Sequence, residues 1–470
     1  MQTPPENLPT HRRPSTPPTS RLRGWLSCLL ATVVLSAGAT TAHATVFEVG
    51  PDGTLQSILT GTLADGDLIR VPADAGSDTD INTTITITEN ISIVGEGPGF
   101  SRIDNAAATA IDFLVVEASM RIEGVTLKGF GDAITLDPPA STSITFDARS
   151  IQILDGDRGI VGAQEGNDTD RLERVSIKDS RFHDLDNAAI YLDTRNIDSA
   201  EIAGNYIQNV GLAGVYVGRD GIASDLDAYA RSIQIYGNHI QEVKERQQGN
   251  FHRYFAICVL GREATIRGNV IRDLQDDENL YKPQGNGDSY VAIYTKAAYT
   301  VISDNVIREP GPGYAIDLKG ISRGSDPVES PSYSSIISNN QIFISDPTGK
   351  RHSGIKTNVE DVTIIGNHVE GASQEGILVQ AVAPDDVSVI GNTVILGSSN
   401  VGLGYGLNVQ TNLTTIPNPG TRRILATNNR FVGIAAGSDI VNREYNGTIW
   451  QVQPLPTAAG EWVVDNNIRH

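Results

Sequence analysis

The sequence predicts an all-β protein built as a solenoid, in which short parallel strands stack coil upon coil. The first observation is a phrase of the form apolar-x-apolar-x-Gly-Asn-x-Ile, whose asparagine returns every 25 to 37 residues. The second is that each repeat contains two short runs, rich in Ile, Val and Tyr, that alternate apolar and polar residues as strands do. The recurring asparagines are Asn205, Asn238, Asn269, Asn305, Asn340, Asn367, Asn392 and Asn429.

The spacing of apolar residues within each run favours strands over helices. Apolar residues lie two apart in runs of four to six, whereas a helical stripe needs them three and four apart. Coils of parallel strands hydrogen-bond to each other about 4.8 Å apart. We therefore expect the recurring asparagines to stack at one turn of every coil, with their amides hydrogen-bonded along the axis.

These repeats resemble the right-handed parallel β-helix proteins of the pectin-lyase-like superfamily. The resemblance covers residues 45–470 and implies a single-stranded, right-handed parallel β-helix. Residues 46–72 read as a strand, an amphipathic run at 54–60 and a second strand, which is similar to the helix-capped opening of secreted members. We therefore expect an N-terminal cap at 45–75, which shields the first coil's open edge, and irregular C-terminal coils at 411–470.

The first 44 residues predict export. Four arginines precede an apolar run at 25–35 and the cleavage pattern Ala42-His43-Ala44, as in a signal peptide. No later segment reaches about 18 uninterrupted apolar residues, so no membrane span is predicted. Cys258 is the only cysteine after residue 44, which excludes an intramolecular disulfide. The sequence thus predicts an extracellular or periplasmic monomer.

The charge of the chain excludes one class of partner and singles out one region. Removing residues 1–44 leaves 32 basic and 55 acidic residues, a formal charge of −23, so nucleic acid is not an expected partner. Residues 244–356 differ, with 14 basic and 13 acidic residues, and 12 of the 14 tyrosines lie between Tyr191 and Tyr333. The same third of the chain holds the longest inserts, at 244–254, 275–290 and 321–334. Such inserts either wall a groove or are simply tolerated in water-facing loops.

The second strand of each coil aligns without gaps and predicts which residues face outward. Alternate residues of a strand point to opposite faces, so two outward columns follow from the alignment. The first column is Tyr191, Tyr216, Cys258, Tyr294, Asp317, Lys356, Leu378 and Asn408. The second column is Asp193, Gly218, Leu260, Lys296, Lys319, Asn358, Gln380 and Gln410.

Two lysines of the second column predict an anion-binding site. Lys296 and Lys319 would stand on neighbouring strands, a like-charge pairing that destabilises a sheet unless something compensates it. An anionic ligand would compensate it, and so would an ion pair with Asp317. Asp317 would also stack against Lys356, where a structural salt bridge is expected.

Aromatic and loop residues near these lysines are further candidates. Tyr216 and Tyr294 could stack on sugar rings, or they could shield the sheet face, since tyrosine favours strands anyway. Loop ends entering the face could clamp a carboxylate or could remain solvated. The loop-end and flanking candidates for substrate binding are His252, Arg253, Tyr254, Arg323, Arg351, His352 and Asn358.

The middle of the chain also resembles the alginate and chondroitin lyase type of β-helix enzyme. The resemblance places Lys296 at the family's groove lysine, but Asp317 stands at the arginine position, with Lys319 two residues on. Ser289 and Val291 occupy the positions of the family's calcium-binding glutamates, so no metal ligands and no cofactor are predicted, and calcium stays open as the alternative.

The resemblance implies β-elimination on an acidic polysaccharide. Lys296 would be the base, Tyr294 or His352 the proton donor, and Lys319 or Lys356 with Arg323 or Arg351 would hold the carboxylate. Two alternatives stay open: a non-catalytic carbohydrate-binding or surface-associated β-helix, and a glycoside hydrolase. The hydrolase needs two carboxyl groups across the groove, and the alignment supplies only Asp317.

Overall fold

A computed structural model describes most of the chain after residue 43. The described residues are 44–73, 75–162, 171–194, 196–219, 230–244, 246–248, 251–274, 289–311, 313–319, 334–345, 352–359, 361–381, 386–397, 404–412, 423–434, 439–445, 450–453 and 462–469. The expected signal peptide lies outside them, apart from Ala44. Among them, no helix is long and apolar enough to cross a membrane.

Three long sheets, here called A, B and C, run side by side along the solenoid. Each full coil contributes one strand to A, then one to B, then one to C, and each strand pairs in parallel with the equivalent strand of the next coil. The fold is therefore the right-handed parallel β-helix that the sequence predicts.

The strand bounds follow sheet by sheet. Sheet A contains β1 (Val46–Glu48), β2 (Leu68–Val71), β5 (Ile91–Gly95), β8 (Met120–Glu123), β11 (Ser143–Arg149), β14 (Arg171–Lys178), β17 (Ala200–Ala203), β20 (Ile233–Tyr236), β24 (Ala264–Arg267), β27 (Thr300–Ser303), β30 (Ser335–Ser338), β33 (Val362–Ile365), β36 (Val387–Ile390), β39 (Ile424–Thr427) and β43 (Trp462–Asp465). Sheet B contains β3 (Asp80–Ile81), β6 (Ser101–Asn105), β9 (Val125–Lys128), β12 (Gln152–Gly156), β15 (Arg181–Leu185), β18 (Tyr206–Gly211), β21 (His239–Lys244), β25 (Val270–Arg272), β28 (Val306–Arg308), β31 (Gln341–Phe343), β34 (His368–Ala372), β37 (Thr393–Leu396), β40 (Arg430–Val432) and β44 (Ile468–Arg469). Sheet C contains β4 (Ile85–Ile87), β7 (Leu114–Val116), β10 (Asp132–Leu136), β13 (Arg158–Gly162), β16 (Ala188–Leu192), β19 (Ala213–Val217), β22 (Arg246–Gln248), β23 (Phe251–Gly261), β26 (Ser289–Ala297), β29 (Gly313–Lys319), β32 (His352–Thr357), β35 (Glu375–Ala381), β38 (Tyr405–Asn412), β41 (Ile440–Tyr445) and β42 (Trp450–Gln453).

A short helix, α1 (Leu55–Leu59), lies at the N-terminal end of the solenoid, as the amphipathic run at 54–60 predicts. The Thr54 hydroxyl accepts a hydrogen bond from the Ser57 amide at 3.2 Å and caps the first turn. Leu55, Ile58 and Leu59 are buried in the main core. A 3-10 turn follows at Gly76–Thr79. The helix thus buries its apolar side against the first coils, which are the end of the rod that would otherwise meet water.

The interior of the solenoid is filled by one residue in two along most strands. Ile202, Ile235, Ile266 and Ile302 from sheet A form one such row and are all fully buried. Where sheet B turns into sheet C, only small residues fit, because a Cβ added at Gly376 would overlap the side chain of Val394. This packing explains the Ala or Gly that comes directly before the buried Ile, Val or Leu in the sheet C strands, as in Gly376-Ile377.

The predicted asparagine stack is confirmed at the turn from sheet A to sheet B. Each Nδ2 donates to Oδ1 of the next asparagine at 2.9–3.0 Å, and each backbone N–H donates to that same oxygen. Nδ2 also donates to a main-chain carbonyl of the preceding coil, as Asn305 does to Ile266 at 3.0 Å. We call this buried row the asparagine ladder.

The glycine that precedes most ladder asparagines is explained by backbone conformation. The eight residues before Asn205 to Asn429 all have φ between 54° and 67°, the left-handed region. Glycine adopts this region freely, while Asn and Asp tolerate it better than other residues. This is why Asp304, Asn339 and Asn428 replace glycine in three of the repeats.

The ladder extends further than the recurring phrase indicates. Asn429 Nδ2 donates to Asn467 Oδ1 at 2.9 Å, and at the other end the Ser180 amide donates to Asn205 Oδ1 at 3.0 Å. Residues after 411 continue all three sheets through β39, β40, β41, β43 and β44, so these coils are more regular than expected. The one departure among the described strands there is β42, which pairs antiparallel with β41.

Candidate functional site

The register of sheet C places the first outward column as the sequence predicts. Tyr191 pairs with Tyr216, then Cys258, Tyr294, Asp317, Lys356, Leu378 and Asn408 follow, each opposite the next. In the second column Leu260 pairs with Lys296, and Lys296 pairs with Lys319. Distant residues are thereby brought onto one continuous face.

The aromatic half of this face is packed rather than open. The rings of Tyr191 and Tyr216 are 4.7 Å apart between centroids, and Tyr294 lies 5.3 Å from Phe255. Tyr294 is only 9% exposed, and Cys258 is buried. These residues form apolar clusters separate from the main core. The burial of Tyr294 favours the shielding role over a broad stacking platform, while Tyr216 is half-buried.

The charged half of the face is organised by one carboxylate. Asp317 lies 3.7 Å from Lys356 Nζ and 3.8 Å from Lys319 Nζ, measured at Oδ2. The Asp317 side chain is 3% exposed, against 12% for Lys356 and 29% for Lys319. The expected ion pair with Lys356 is therefore present. The same carboxylate also offsets the repulsion between Lys296 and Lys319, which was the structural alternative to a ligand.

The lysines also lie over tyrosine rings. Lys319 Nζ is 5.1 Å from the centroid of Tyr294, and Lys356 Nζ is 4.5 Å from that of Tyr314. Burial opposes the charge on Lys356, but the attraction of Asp317 and Tyr314 outweighs it and raises the pKa of this lysine. Burial also raises the pKa of the Tyr314 hydroxyl. At neutral pH the site therefore holds a protonated lysine beside a neutral phenol.

A second buried carboxylate on this face was missed from the sequence. Glu375 opens β35 and is 2% exposed; it accepts hydrogen bonds from Ser353 Oγ at 2.8 Å and from Asn408 Nδ2 at 3.3 Å. It belongs to an outward column one step before the aligned block, because it precedes Gly376. Extending the alignment by one residue toward the N terminus would have revealed it.

Two atoms of this polar group lack hydrogen bonds. Asp317 Oδ1 and Asn408 Oδ1 are buried and have no hydrogen-bond partner among the described residues. Buried polar atoms are normally paired, because leaving one unpaired costs free energy. The outer face of sheet C thus differs from an ordinary packed surface at the coils of β29 to β38.

The remaining predicted residues have mixed outcomes. Tyr254 is not at the surface: it is fully buried, its ring lies 5.3 Å from that of Tyr290, and its hydroxyl donates to the Pro310 carbonyl at 2.8 Å. A substrate-binding role for Tyr254 is therefore wrong, since it extends a core strand rather than ending a loop. Asn358 follows β32 and is half-buried, and its backbone N–H donates to the Leu318 carbonyl at 3.1 Å. His252 and Arg253 lie in β23, His352 begins β32, and Arg323 and Arg351 lie outside the described residues.

Part of the insert at 244–254 joins sheet C. Its strand β22 pairs antiparallel with the start of β23, opposite Phe251, His252 and Arg253. β23 is consequently the longest strand of the described chain, with 11 residues. Most of the other two inserts lies outside the described residues.

Comparison with known proteins finds similar solved structures at low sequence identity. No known protein family and no curated protein sequence matches the chain. Among solved structures, the catalytic unit of a thermostable GH87 alpha-1,3-glucanase from Streptomyces thermodiastaticus strain HF3-3 is similar, with 12% identity, a TM-score of 0.47, and coverage of 93% of this chain and 70% of the glucanase. The PL6 family polysaccharide lyase Pedsa3628 from Pseudopedobacter saltans is 13% identical over 91% of each chain, with a TM-score of 0.33. The A-module of the mannuronan C-5 epimerase AlgE4 from Azotobacter vinelandii is 11% identical over 86% and 87% of the two chains, with a TM-score of 0.29.

These similarities concern the fold alone. The assignment of a parallel β-helix rests on the three parallel sheets of this chain. The chemistry has to be argued from the residues of this chain.

Proposed function

We propose that this exported protein binds and cleaves an acidic polysaccharide on the outer face of sheet C, at the coils of β26 to β38. The observation that carries the proposal is that Lys319 and Lys356 both pair with the carboxylate of Asp317, with Lys296 opposite Lys319 on the neighbouring strand. Lys296, Lys319, Lys356 and Asp317 carry a formal charge of +2, or +1 with Glu375 on the same face, in a chain whose formal charge is −20. A local excess of cations on an acidic protein attracts a polyanion to this face.

The reaction that fits this group is β-elimination at a uronate residue. Neutralising the uronate carboxylate makes the C5 proton acidic, and a base removes that proton. The electron pair forms the C4–C5 double bond while the C4–O glycosidic bond breaks, and the departing oxygen takes a proton from a donor. The three roles are a cationic clamp, a base and a proton donor.

We assign these roles along the axis of the solenoid. Lys296 is the base, because it opens the cationic row and lies opposite Lys319. Lys356 and Lys319 hold the carboxylate, with Arg323 or Arg351 as further candidates; the raised pKa of Lys356 keeps it charged and unsuited to the role of base. Tyr294 beneath Lys319, or His352, donates the proton.

Hydrolysis is a second candidate because of Glu375. Asp317 and Glu375 lie on the same face of β29 and β35, with one strand between them. Two strand spacings of about 4.8 Å and a three-residue offset along the strand separate their backbones by roughly 12–14 Å, so the side chains must extend toward each other to reach the 6.5–9.5 Å carboxyl separation of inverting enzymes.

One assay separates these possibilities. The purified protein is incubated with alginate, polygalacturonate, chondroitin sulfate and hyaluronan, with calcium or with a chelator. Both the ultraviolet absorbance of unsaturated uronyl ends and the reducing ends are measured. Absorbance that rises with reducing ends supports elimination, whereas reducing ends without absorbance support hydrolysis. Binding without either product supports a non-catalytic carbohydrate-binding protein.

Single substitutions test the assigned residues. Lys296→Ala is expected to abolish the absorbance signal, and unchanged activity would refute its role as the base. Lys178→Ala is the matched control, since Lys178 is an outward lysine of sheet A paired with Glu201. If hydrolysis is observed instead, Glu375→Gln replaces Lys296→Ala as the decisive variant.

A further inference from the structure

A cleft of about 500 Å³ lies away from the sheet C face, at the corner where sheet C turns into sheet A. It spans three successive coils, because Ile233 pairs with Ala264 and Ala264 pairs with Thr300. The polar and aromatic side chains that line it are Gln234, Arg262, Glu263, Thr265 and Tyr299. Its volume lies within the range of small-ligand sites.

Tyr299 is unusual in its backbone conformation. It has φ 50°, in the left-handed region, and it is 44% exposed. Four other residues that directly precede described strands of sheet A share the positive φ, and all four are small and polar: Ser232, Ser334, Asp361 and Asp386. Tyr299 is the one aromatic residue with positive φ in the described chain. A bulky side chain in this region is strained, and such strain is often retained at a functional site.

The corner that carries Tyr299 is held firmly on both sides. Ala297 and Ala298 before it are buried. Thr300 after it donates from Oγ1 to the Ala297 carbonyl at 3.1 Å, and its amide donates to Ser335 Oγ at 3.2 Å. Tyr299 is therefore presented to solvent from a rigid support, and little conformational freedom is lost when a ligand binds.

We propose that this cleft is an accessory carbohydrate-binding site that takes a pyranose ring of a polysaccharide. A pyranose has an apolar C–H face and a polar rim. The exposed phenol ring of Tyr299 covers the C–H face, while Arg262, Glu263, Gln234 and Thr265 offer donors and acceptors to the hydroxyl groups. The site binds and does no chemistry.

The accessory site is distinct from the catalytic function proposed for sheet C. Lys296 is three residues before Tyr299 on the other side of the corner, so a long polysaccharide on sheet C passes close to the cleft. The test therefore measures binding rather than cleavage. A failure of the catalytic proposal leaves it unaffected.

The experiment is affinity electrophoresis in gels that contain alginate, polygalacturonate, chondroitin sulfate, dextran or laminarin. Tyr299→Ser places at this corner the residue that the chain itself uses at Ser232 and Ser334, so the backbone accepts it. We expect this variant to lose roughly tenfold in affinity for the polysaccharides that retard the wild type. Its unfolding temperature is expected to be unchanged or higher, since the strained residue is gone.

Two further variants make the result specific. Tyr299→Phe keeps the ring and should bind within about twofold of the wild type if stacking dominates. Phe100→Ser is the matched control, because Phe100 is an exposed aromatic, 65% accessible, in the distant coil of β6, and it should bind as the wild type does. Retention by uronans alone or also by neutral glucans identifies the sugar class.

Several outcomes would overturn the accessory site. They are equal retardation of Tyr299→Ser and the wild type in every gel, no retardation of the wild type in any gel, and a loss of stability in Tyr299→Ser. The comparison is repeated in a Lys319→Ala background to separate the two faces. A Tyr299 effect that persists there supports the cleft, and one that disappears assigns the contact to sheet C.

Discussion

The asparagine ladder and the outer face of sheet C use the same coil spacing in opposite ways. The ladder repeats one residue type from Asn205 to Asn467, and each amide is bonded to the next. The outer face changes from coil to coil, from Tyr294 to Asp317 to Lys356. The ladder repeats one residue type because every coil has the same buried turn, whose polar groups must be hydrogen-bonded. Variation from coil to coil is what a binding surface for another molecule requires.

The two regions also differ in how completely their polar groups are paired. Ladder amides accept two hydrogen bonds at Oδ1 and donate from Nδ2 to two acceptors, as Asn305 does. On sheet C, Asp317 shares one carboxylate with two lysines and keeps a buried oxygen without a hydrogen bond in the described part of the chain. The ladder amides hydrogen-bond to each other and to the main chain, whereas Asp317 on sheet C has an acceptor oxygen that a ligand could use.

The largest expected effect is on the ladder side. Asn305→Ala removes the oxygen that accepts hydrogen bonds from the backbone N–H and the side-chain Nδ2 of Asn269. It also removes the donor to the Ile266 carbonyl. These groups are fully buried, so the loss in free energy of unfolding is expected to be roughly 3–5 kcal/mol. Urea unfolding followed by circular dichroism measures it.

The control for the ladder is an exposed asparagine. Asn82→Ala should change the free energy of unfolding by less than about 0.5 kcal/mol, because Asn82 is exposed and, among the described residues, only its backbone amide is bonded, to Gln56. If Asn305→Ala lowered the free energy of unfolding as little as Asn82→Ala, the ladder would contribute nothing measurable, and the apolar core alone would stabilise the fold.

The second effect tests the carboxylate that organises sheet C. Asp317→Asn leaves the ammonium of Lys356 nearly buried without its anion, at an expected cost of about 3 kcal/mol. Adding Lys356→Met removes the isolated charge, so the double variant should be more stable than Asp317→Asn alone. The same urea titration compares the three proteins. A double variant less stable than the single one would mean that the ion pair is not what Asp317 contributes.

The third effect is a dependence on alkaline pH. The folded-state pKa of Lys356 is raised above its ordinary 10.5, and that of Tyr314 above 10.0. A raised pKa stabilises the folded state fully below the unfolded value, and this stability is lost as the pH rises through the folded value. The unfolding midpoint should therefore fall as the pH rises above about 10.

Substituting Lys356 tests how much this residue contributes to the loss of stability at alkaline pH. Lys356→Met should make the decline shallower, whereas Lys128→Met should not, since Lys128 is an exposed partner of Asp155. Parallel declines for wild type and Lys356→Met would contradict the assignment.

Much of the fold could be predicted from the sequence because its repeats are local. The ladder, the capping helix and the outward column from Tyr191 to Asn408 follow from strand period and a constant position relative to the asparagine. Asn467 was missed because the last repeat has no residue between its asparagine and its isoleucine. Ser180 was missed because it performs the same turn with a different side chain.

Burial on the outer face could not be predicted, because it depends on what packs outside the solenoid. Strand period shows that Tyr294 points outward but not that it is nearly covered, and it gives Tyr254 no reason to lie in the core. Glu375 was overlooked because the alignment of the sheet C strands began at Gly376, one residue after it. The cationic group was predictable as a set of positions, and its geometry around Asp317 required the structure.

The smallest effect compares two amide pairs directly. Gln380 Nε2 donates to Gln410 Oε1 at 3.2 Å on the outer face of sheet C, which is the arrangement of the ladder transferred to the surface. Gln380 is half-buried, although Gln410 is only 7% exposed, so Gln380→Ala should cost only about 0.5–1 kcal/mol. Because the chemistry of the pair is the same as in the ladder, the difference from Asn305→Ala measures what burial adds to an amide ladder. A loss as large as that of Asn305→Ala would show that the outer face of sheet C is as much a part of the stability of the solenoid as the ladder, and the contrast between the two regions would not hold.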